Sequence, residues 1–439
     1  MDKFFHISER GSSVGTEIRA GFTTFLAMAY IIAVNPAILG AAGIPFTAAL
    51  TATCFGAALM TILMGLIANR PIALASGMGI NAMVAYALCV DMQLDWRIAM
   101  SVVFIEGIVI LFLVLFGLRE AILKAIPHGL KQAIGVGIGL FITFIGLKSG
   151  GLVIPNESTI LSFGDVTQPA VIVAVLSLAI TALLYALKIK GEILFGILAA
   201  TIIGIPLGVT PLPQWEHFGL DFSTFAAPFQ TVPGQEANGI ALIQTVLNPV
   251  LILFAFSLLM SDFFDTMGTA MAVGKQANFV TQKGELLDAK PILTVDSAAA
   301  AVGGFMGASS ITTFVESTAG AADGARTGLS NIVIGILFIL AAFLSPFIAM
   351  VTGAATCGAL VFVGYLMMSA VATINWSDVQ EGLPAFLTII GIPFTYSIAT
   401  GIGLGFICYV LVSIFTGKAR DVSILMWVAA LAFLISFIL

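Results

Sequence analysis

The dominant feature of the chain is a series of long apolar runs separated by short polar breaks. The runs lie at about 20–41, 47–69, 71–90, 98–117, 131–150, 169–187 and 192–209, and then at about 246–270, 293–308, 310–322, 328–350, 355–373, 384–416 and 422–438. A helix needs about 20 apolar residues to cross the roughly 30 Å hydrocarbon core of a bilayer. The pattern therefore predicts an all-α polytopic membrane protein with about 14 transmembrane segments. A β-barrel would instead alternate apolar and polar residues along each strand.

The charge content of the chain supports the same class of protein. Only 9% of the 439 residues are charged, and the mean hydropathy is +1.11, whereas soluble domains carry about a quarter charged residues. So few charges cannot cover a water-facing surface, so the expected environment is the lipid bilayer. The net charge of −6 and the lack of a long basic run exclude nucleic acid as a partner. No hydrolase or metal-ligand motif is found, so we expect neither an enzyme nor a bound cofactor.

A polar stretch without Lys or Arg divides the chain into two similar halves. Seven apolar runs precede this stretch and seven follow it. Because seven is an odd number, the second half begins on the opposite side of the membrane, which predicts an inverted repeat. The predicted organisation is a first repeat at 1–209, an external linker at 210–245 and a second repeat at 246–439.

The basic residues between the runs predict the orientation of the chain. Cytoplasmic loops carry an excess of Lys and Arg, and here these residues cluster in every second loop: Arg10, Arg19, Arg70, Arg119, Lys124, Lys131, Lys188, Lys190, Lys275, Lys283 and Lys290. The sequence thus predicts a cytoplasmic N-terminus in a bacterial-type inner membrane. The C-terminal region fits the repeat less well. The two repeats align with an offset of about 228 residues, which maps 192–209 onto 420–437 and leaves 384–397 as an extra half-helix.

The third and tenth runs are short, rich in Gly and Ser, and occupy corresponding places in the two halves. They read ALASGMGINAMVAYA and GFMGASSITTFVESTAGA. Irregular backbone at membrane depth is tolerated only where it faces protein or a wet cavity. Two matched broken segments therefore predict a substrate site near the middle of the membrane. The alternative is that the small residues only allow close helix packing.

Carboxylates inside the apolar runs are the strongest candidates for functional residues. A charge at the centre of a transmembrane helix costs on the order of 2.5 to 3.5 kcal/mol. Asp262 and Asp265 share one face of the eighth run, Glu316 lies in the tenth, and Glu106 lies in the middle of the fourth. Each of these four can also be a structural carboxylate that accepts hydrogen bonds from Ser, Thr and backbone amides. Two further carboxylates, Asp296 and Asp323, lie near the ends of runs. A buried carboxyl without a basic partner is readily protonated, so these groups can carry a proton during transport.

Six blocks of the sequence resemble those of one transporter family. They are GFTTFLAMAYIIAVNP, GMGINAMVAY, AIPHGLKQAIGVGIGLFITFIGLKSGG, SDFFDTMGT, TTFVESTAGAADGARTGLS and PAFLTIIGIPFTYSIATGIGLGF. They resemble the signature blocks of the AzgA-like purine permeases, a branch of the nucleobase transporter superfamily that also contains the uracil and xanthine permeases. The likeness extends from about residue 11 to residue 418 and keeps the order of the blocks.

The resemblance implies a fold and a function. The fold has fourteen spans in two inverted sevens, with a core domain of spans one to four and eight to eleven and a gate domain of the others. The third and tenth spans begin as short strands that meet in the middle of the membrane. Family members import purine nucleobases with protons, and dimers occur on this fold, so a homodimer is possible. By the matching motifs, Asp262, Glu316 and Asn81 would form the substrate site, with Asp265 and Glu316 linked to the proton.

The expected substrate follows from hydrogen-bond chemistry. A planar purine offers ring N–H and amino donors, which carboxylates accept strongly in a desolvated site. Nearby aromatic rings can stack on its face, and the candidates are Phe25, Phe263, Phe264 and Phe314. We expect hypoxanthine and guanine to be preferred, with adenine preference as the alternative. Met83, Val84 and Phe314 depart from the residues usual in the family. An anion channel or exchanger and an intramembrane enzyme are remote alternatives.

Overall fold

The computed structural model describes residues 2–438 except 117–126, 214, 216–217, 235–238 and 282–285. The helices of the first half are α1 (Asp2–Phe5), α2 (Val14–Met28), α3 (Ile31–Gly40), α4 (Phe46–Ile67), α5 (Met78–Ala82), which continues as a π-helix (Met83–Asp91), α6 (Trp96–Leu115), α7 (His128–Ser149), α8 (Pro169–Ala186) and α9 (Glu192–Gly204). Its strands are β1 (Leu74–Ser76), β2 (Val153–Asn156) and β3 (Ile160–Phe163).

The second half contains α10 (Ala241–Leu247), α11 (Pro249–Gln276), α12 (Ala289–Met306), β4 (Ile311–Thr313), α13 (Ser317–Ala322), α14 (Leu329–Ala342), α15 (Ser345–Ile348), α16 (Gly353–Met367), α17 (Val379–Phe394), α18 (Ile398–Phe415) and α19 (Ile424–Ile438). Short 3₁₀ turns lie at Ala227–Phe229, Met368–Thr373 and Ala419–Asp421. Within the described residues, seven helices are long and apolar enough to cross a membrane. The chain is a multi-pass helical membrane protein, which confirms the predicted class.

The helix ends follow the apolar runs because apolar side chains are favourable in the hydrocarbon core of the bilayer, whereas unpaired backbone groups are unfavourable there. Several predicted runs are divided in the structure, and the clearest case lies near the C-terminus. The run at 384–416 forms two helices, α17 and α18, which pack against each other. Tyr396 separates them with a φ of 55°, and the Ser397 side chain accepts a hydrogen bond from the Thr400 backbone. Residues 384–394 of the expected extra half-helix are therefore part of α17, which begins at Val379 and has 16 residues.

The two broken segments meet as a small antiparallel sheet. β1 pairs with β4 in the register Leu74 with Thr313, Ala75 with Thr312 and Ser76 with Ile311, and both strands are buried along their length. The pairing satisfies backbone groups that no helix serves at this depth, which is how extended chain survives inside a membrane protein. A second small sheet, the β2–β3 hairpin, lies in the loop between α7 and α8 and was not predicted.

The helices pack in two groups. One group, here called the core bundle, contains α2–α6, α11–α14 and the β1–β4 sheet, whereas the other, here called the gate bundle, contains α7–α9 and α16–α19. Small residues allow close packing within the core bundle, since a side chain on Gly328 would overlap the backbone of Gly65. The assignment of the spans to a core domain and a gate domain, the repeat boundaries and the number of 14 spans stay predictions. Arg119, Lys124 and Lys283 lie outside the described residues.

Candidate functional site

A cavity of about 1150 Å³ lies between the core bundle and the gate bundle. Its walls are largely apolar, with Gly79 and Ile80 on the core side and Ile134 and Ile138 on the gate side. A second set of lining residues is basic and comes from two predicted cytoplasmic loops: Lys131 from one, and Lys188 and Lys190 from the other. The cavity thus reaches from the middle of the protein to the side where the basic residues cluster. Ligand sites typically combine such an apolar lining with a few polar groups.

Two carboxylates, Asp265 and Glu316, provide polar groups in this cavity. Asp265 projects from α11, and Glu316 lies directly before the first residue of α13. The Asp265 side chain is exposed and the Glu316 side chain is half-buried, and both line the cavity. The chain places Glu316 there because β4 ends at Thr313 and α13 begins at Ser317, so the connecting residues must turn beside the cavity. Two acceptors from different elements can therefore face one bound molecule.

Tyr30 fixes the orientation of Glu316. Its hydroxyl donates a hydrogen bond of 2.6 Å to Oε1 of Glu316, and the tyrosine itself is only 2% exposed. Tyr30 lies between the end of α2 at Met28 and the start of α3 at Ile31. The sequence reasoning did not single out this residue. The available signal was a lone tyrosine inside an apolar run, which needs a partner for its hydroxyl when buried.

Asp262 lies behind the cavity wall. Its side chain is fully buried and is not part of the cavity lining, and its carboxyl group interacts with that of Glu106 on α6. Asp262 and Asp265 are three residues apart on α11, which rotates them by about 60° around the helix axis. That rotation separates a carboxylate facing the cavity from one facing the core bundle. The substrate-binding role of Asp262 stays a prediction.

Asp296 is a structural partner of the β1–β4 sheet. Its carboxylate accepts hydrogen bonds from the hydroxyls of Thr266 at 2.8 Å and Thr312 at 3.3 Å, and from the backbone amide of Thr313 at 3.2 Å. Three donors satisfy the hydrogen-bonding capacity of this buried carboxylate. These bonds attach β4 to α11 and α12, and β4 leads directly to Glu316.

Asn81 and the predicted stacking residues lie near the cavity without lining it. Asn81 is buried in α5, next to the lining residue Ile80, and neither of its amide atoms has a hydrogen-bond partner among the described residues. Phe25 packs edge-on against Phe338, whereas Phe263 and Phe314 are buried inside the core bundle. The side chain of Phe264 lies outside the described part of the structure. Tyr185 of α8 does line the cavity and was not predicted.

Comparisons with known proteins identify the family. Residues 15–404 match the model of the Permease family, the family of xanthine and uracil permeases. The chain belongs to this permease family. It is therefore a membrane transporter and not an enzyme.

The relatives match along their whole length. The guanine/hypoxanthine permease PbuG of Bacillus subtilis is 40% identical, with 100% of this chain and 99% of PbuG covered. The adenine permease AdeP of Escherichia coli is 39% identical, with 100% of this chain and 96% of AdeP covered.

Solved structures of other transporters share the fold. The transmembrane domain of the cyanobacterial bicarbonate transporter BicA matches with a TM-score of 0.63 at 16% identity, covering 89% of this chain and 97% of that domain. SLC26A9 matches with a TM-score of 0.64 at 13% identity, covering 91% of this chain and 65% of that protein. At these identities the likeness concerns the fold alone.

Proposed function

We propose that this permease carries purine nucleobases across the membrane together with protons. The observation that carries the proposal is the placement of Asp265 and Glu316 on one cavity between the two bundles, in a chain whose full-length relatives are named as purine permeases. An uncharged planar base fits an apolar cavity with a small number of acceptors. A bare anion does not fit beside Asp265 and Glu316, because these two carboxylates would repel it, and the basic lining residues come from the loop ends at the cytoplasmic side.

The two carboxylates have complementary tasks in this mechanism. Glu316, held by Tyr30, accepts hydrogen bonds from the ring N–H and amino groups of the base. Asp265 is its neighbour in the cavity and is the better candidate for the coupling proton, since no tyrosine hydroxyl is bonded to it among the described residues. Binding a proton removes one of two like charges, so the loaded core bundle can move without exposing a bare charge to hydrocarbon. Asp262 and Asn81 lie one layer behind and support these two groups.

The position of the cavity also suggests the state of the transporter. Lys131, Lys188 and Lys190 line it, and basic residues of short loops face the cytoplasm. We therefore infer an inward-open conformation in an inner membrane, with a cytoplasmic N-terminus. The structure contains a single chain, and a homodimer stays a prediction.

Uptake of labelled hypoxanthine into membrane vesicles tests the proposal. An inward-directed proton gradient should accelerate uptake, and a protonophore should remove that acceleration. Guanine and hypoxanthine present a ring N–H beside a carbonyl group, whereas adenine lacks that N–H and leaves one buried acceptor unmet, at a cost of about 1 to 3 kcal/mol. We expect unlabelled guanine to compete at least about ten-fold better than adenine. Stronger competition by adenine would reverse the preference, and no uptake of any purine would refute the function.

A further inference from the structure

A second set of carboxyl groups lies inside the core bundle, away from the cavity. Glu106 of α6 is 1% exposed, and its carboxyl group faces those of Asp262 on α11 and Asp296 on α12. A side chain on Gly107 would overlap the backbone of Ala301, so α6 and α12 touch at the level of Glu106. Glu106 is not among the residues that line the cavity. None of the transport steps described above uses this residue.

The hydrogen bonds around these three carboxyl groups indicate which of them carries a proton. Asp296 accepts three hydrogen bonds and is satisfied as a carboxylate. Neither oxygen of Glu106 receives a hydrogen bond from an N–H or O–H group of the described residues, although both oxygens are buried. An isolated buried carboxylate is very unfavourable. Two carboxyl groups attract each other only when one of them is protonated and donates a hydrogen bond to the other.

Among the described residues, no Lys or Arg faces Glu106 that would replace this proton. The elements packed against α6 are α10, α11, α12, the π-helix and the Ala227–Phe229 turn, and the titratable groups that face Glu106 from them are Asp262 and Asp296. The remaining titratable groups of these elements have other surroundings. Asp265 faces the cavity, Tyr86 packs on Tyr396, and Cys89 lies near Asp95. The exposed groups are Asp91, Lys275 and Lys290. Arg97 of α6 itself pairs with Asp95.

We propose that Glu106 is a positioning residue, which stays protonated inside the core bundle and donates a hydrogen bond to the carboxylate of Asp262. This proposal rests on the proposed transport function, because its consequence is for the α11 carboxylates. The bond holds Asp262 toward α6 and separates its charge from that of Asp265. Since α6 and α11 belong to the same bundle, the proton travels with the core and is not exchanged in each cycle. It is distinct from the coupling proton in the cavity.

Two substitutions of Glu106 separate this role from its alternatives. In Glu106→Gln the amide N–H replaces the acid O–H, so uptake should stay within about two-fold of wild type with an unchanged pH profile. Glu106→Met keeps the length of the side chain but removes the donor. Asp262 must then bind a proton of its own, so uptake should fall at least about ten-fold and its pH profile should shift.

Infrared spectroscopy of the purified full-length protein gives a readout that does not depend on transport. The wild type at neutral pH should show a carboxylic-acid C=O band that is absent from Glu106→Gln. In Glu106→Met this band should be replaced by one at a shifted frequency, from the protonated Asp262. Glu17→Gln is the matched control, because Glu17 is equally buried but accepts a hydrogen bond of 2.8 Å from the Arg326 backbone amide. That variant should keep the band.

The outcomes decide the proposal in each case. Equal loss of uptake in the Gln and Met variants would show that Glu106 must ionise, and normal uptake in the Met variant would show that it only fills space, so either result overturns the proposal. If the Met variant does not fold, the Gln variant and the infrared band still decide. If the wild type carries no purine, the proposed function fails, and the infrared band alone supports or refutes the protonated Glu106.

Discussion

Replacing Tyr30 with Phe removes one hydrogen bond and leaves the packing in place. The hydroxyl of Tyr30 is 2.6 Å from Glu316 Oε1, and the ring is buried among apolar residues of the core bundle. A hydrogen bond to a charged group contributes about 1.5 to 3 kcal/mol, which corresponds to roughly 10- to 150-fold in affinity. Because Glu316 also faces the cavity, water replaces part of the lost bond. We therefore expect a loss of purine affinity at the lower end of this range, about ten-fold.

The assay is equilibrium binding of labelled hypoxanthine to the purified transporter, with vesicle uptake measured in parallel. Tyr185→Phe is the matched control, since Tyr185 lines the same cavity but does not bond to Glu316 in the structure. We expect Tyr185→Phe to bind within about two-fold of wild type. Unchanged affinity in Tyr30→Phe, with the protein folded, would refute the idea that Tyr30 orients a substrate-binding carboxylate.

Two further predictions concern α11 and the contact between the bundles. Asp262→Asn should weaken equilibrium binding, as its motif implies, whereas Asp265→Asn should mainly change the pH dependence of uptake; equal loss of binding in both variants would contradict this division. Burial alone would raise the pKa of Asp323, but hydrogen bonds from Lys190 and Thr23 and the nearby positive charges lower it overall. The ionised form therefore stabilises the fold above the ordinary pKa of aspartate, and this stabilisation is lost as the pH falls through the lowered value. Asp323→Asn should reduce stability by about 0.2 to 1 kcal/mol at neutral pH, with a smaller difference in acid, as thermal unfolding in detergent will show; an equal difference at both pH values would exclude this charge effect.

The sequence predicted the helices well because the bilayer imposes a simple rule on them. The predicted run at 169–187 became α8, Pro169–Ala186, and the run at 47–69 became α4, Phe46–Ile67. The two broken segments were also recognisable, since both are short and rich in Gly and Ser and they occupy corresponding places in the two halves. The division at Tyr396 was missed because an apolar run does not reveal a left-handed residue inside it.

The site was only partly predictable for a different reason. Glu316 and Asp265 stood out because each is a costly charge in an apolar run, and the structure places both on the cavity. The spacing of Asp262 and Asp265 shows that they share a helix face, but only tertiary packing decides which of them meets α6. Tyr30 and Glu316 are 286 residues apart in the chain. Their hydrogen bond exists only because the fold places the ring of Tyr30 beside that of Phe314, which directly follows β4.

Binding of hypoxanthine to the Glu316→Gln variant is the most direct test of the proposed site. The substitution keeps the size of the side chain and removes the charge that accepts the N–H and amino groups of the base. The Asn variant of Asp323, a carboxylate outside the cavity lining, is the control for loss of one acidic group. Titration calorimetry on both purified variants should show wild-type affinity for Asp323→Asn and no measurable binding for Glu316→Gln at neutral pH. Near wild-type affinity in a folded Glu316→Gln protein would mean that Glu316 is structural and that the purine site lies elsewhere.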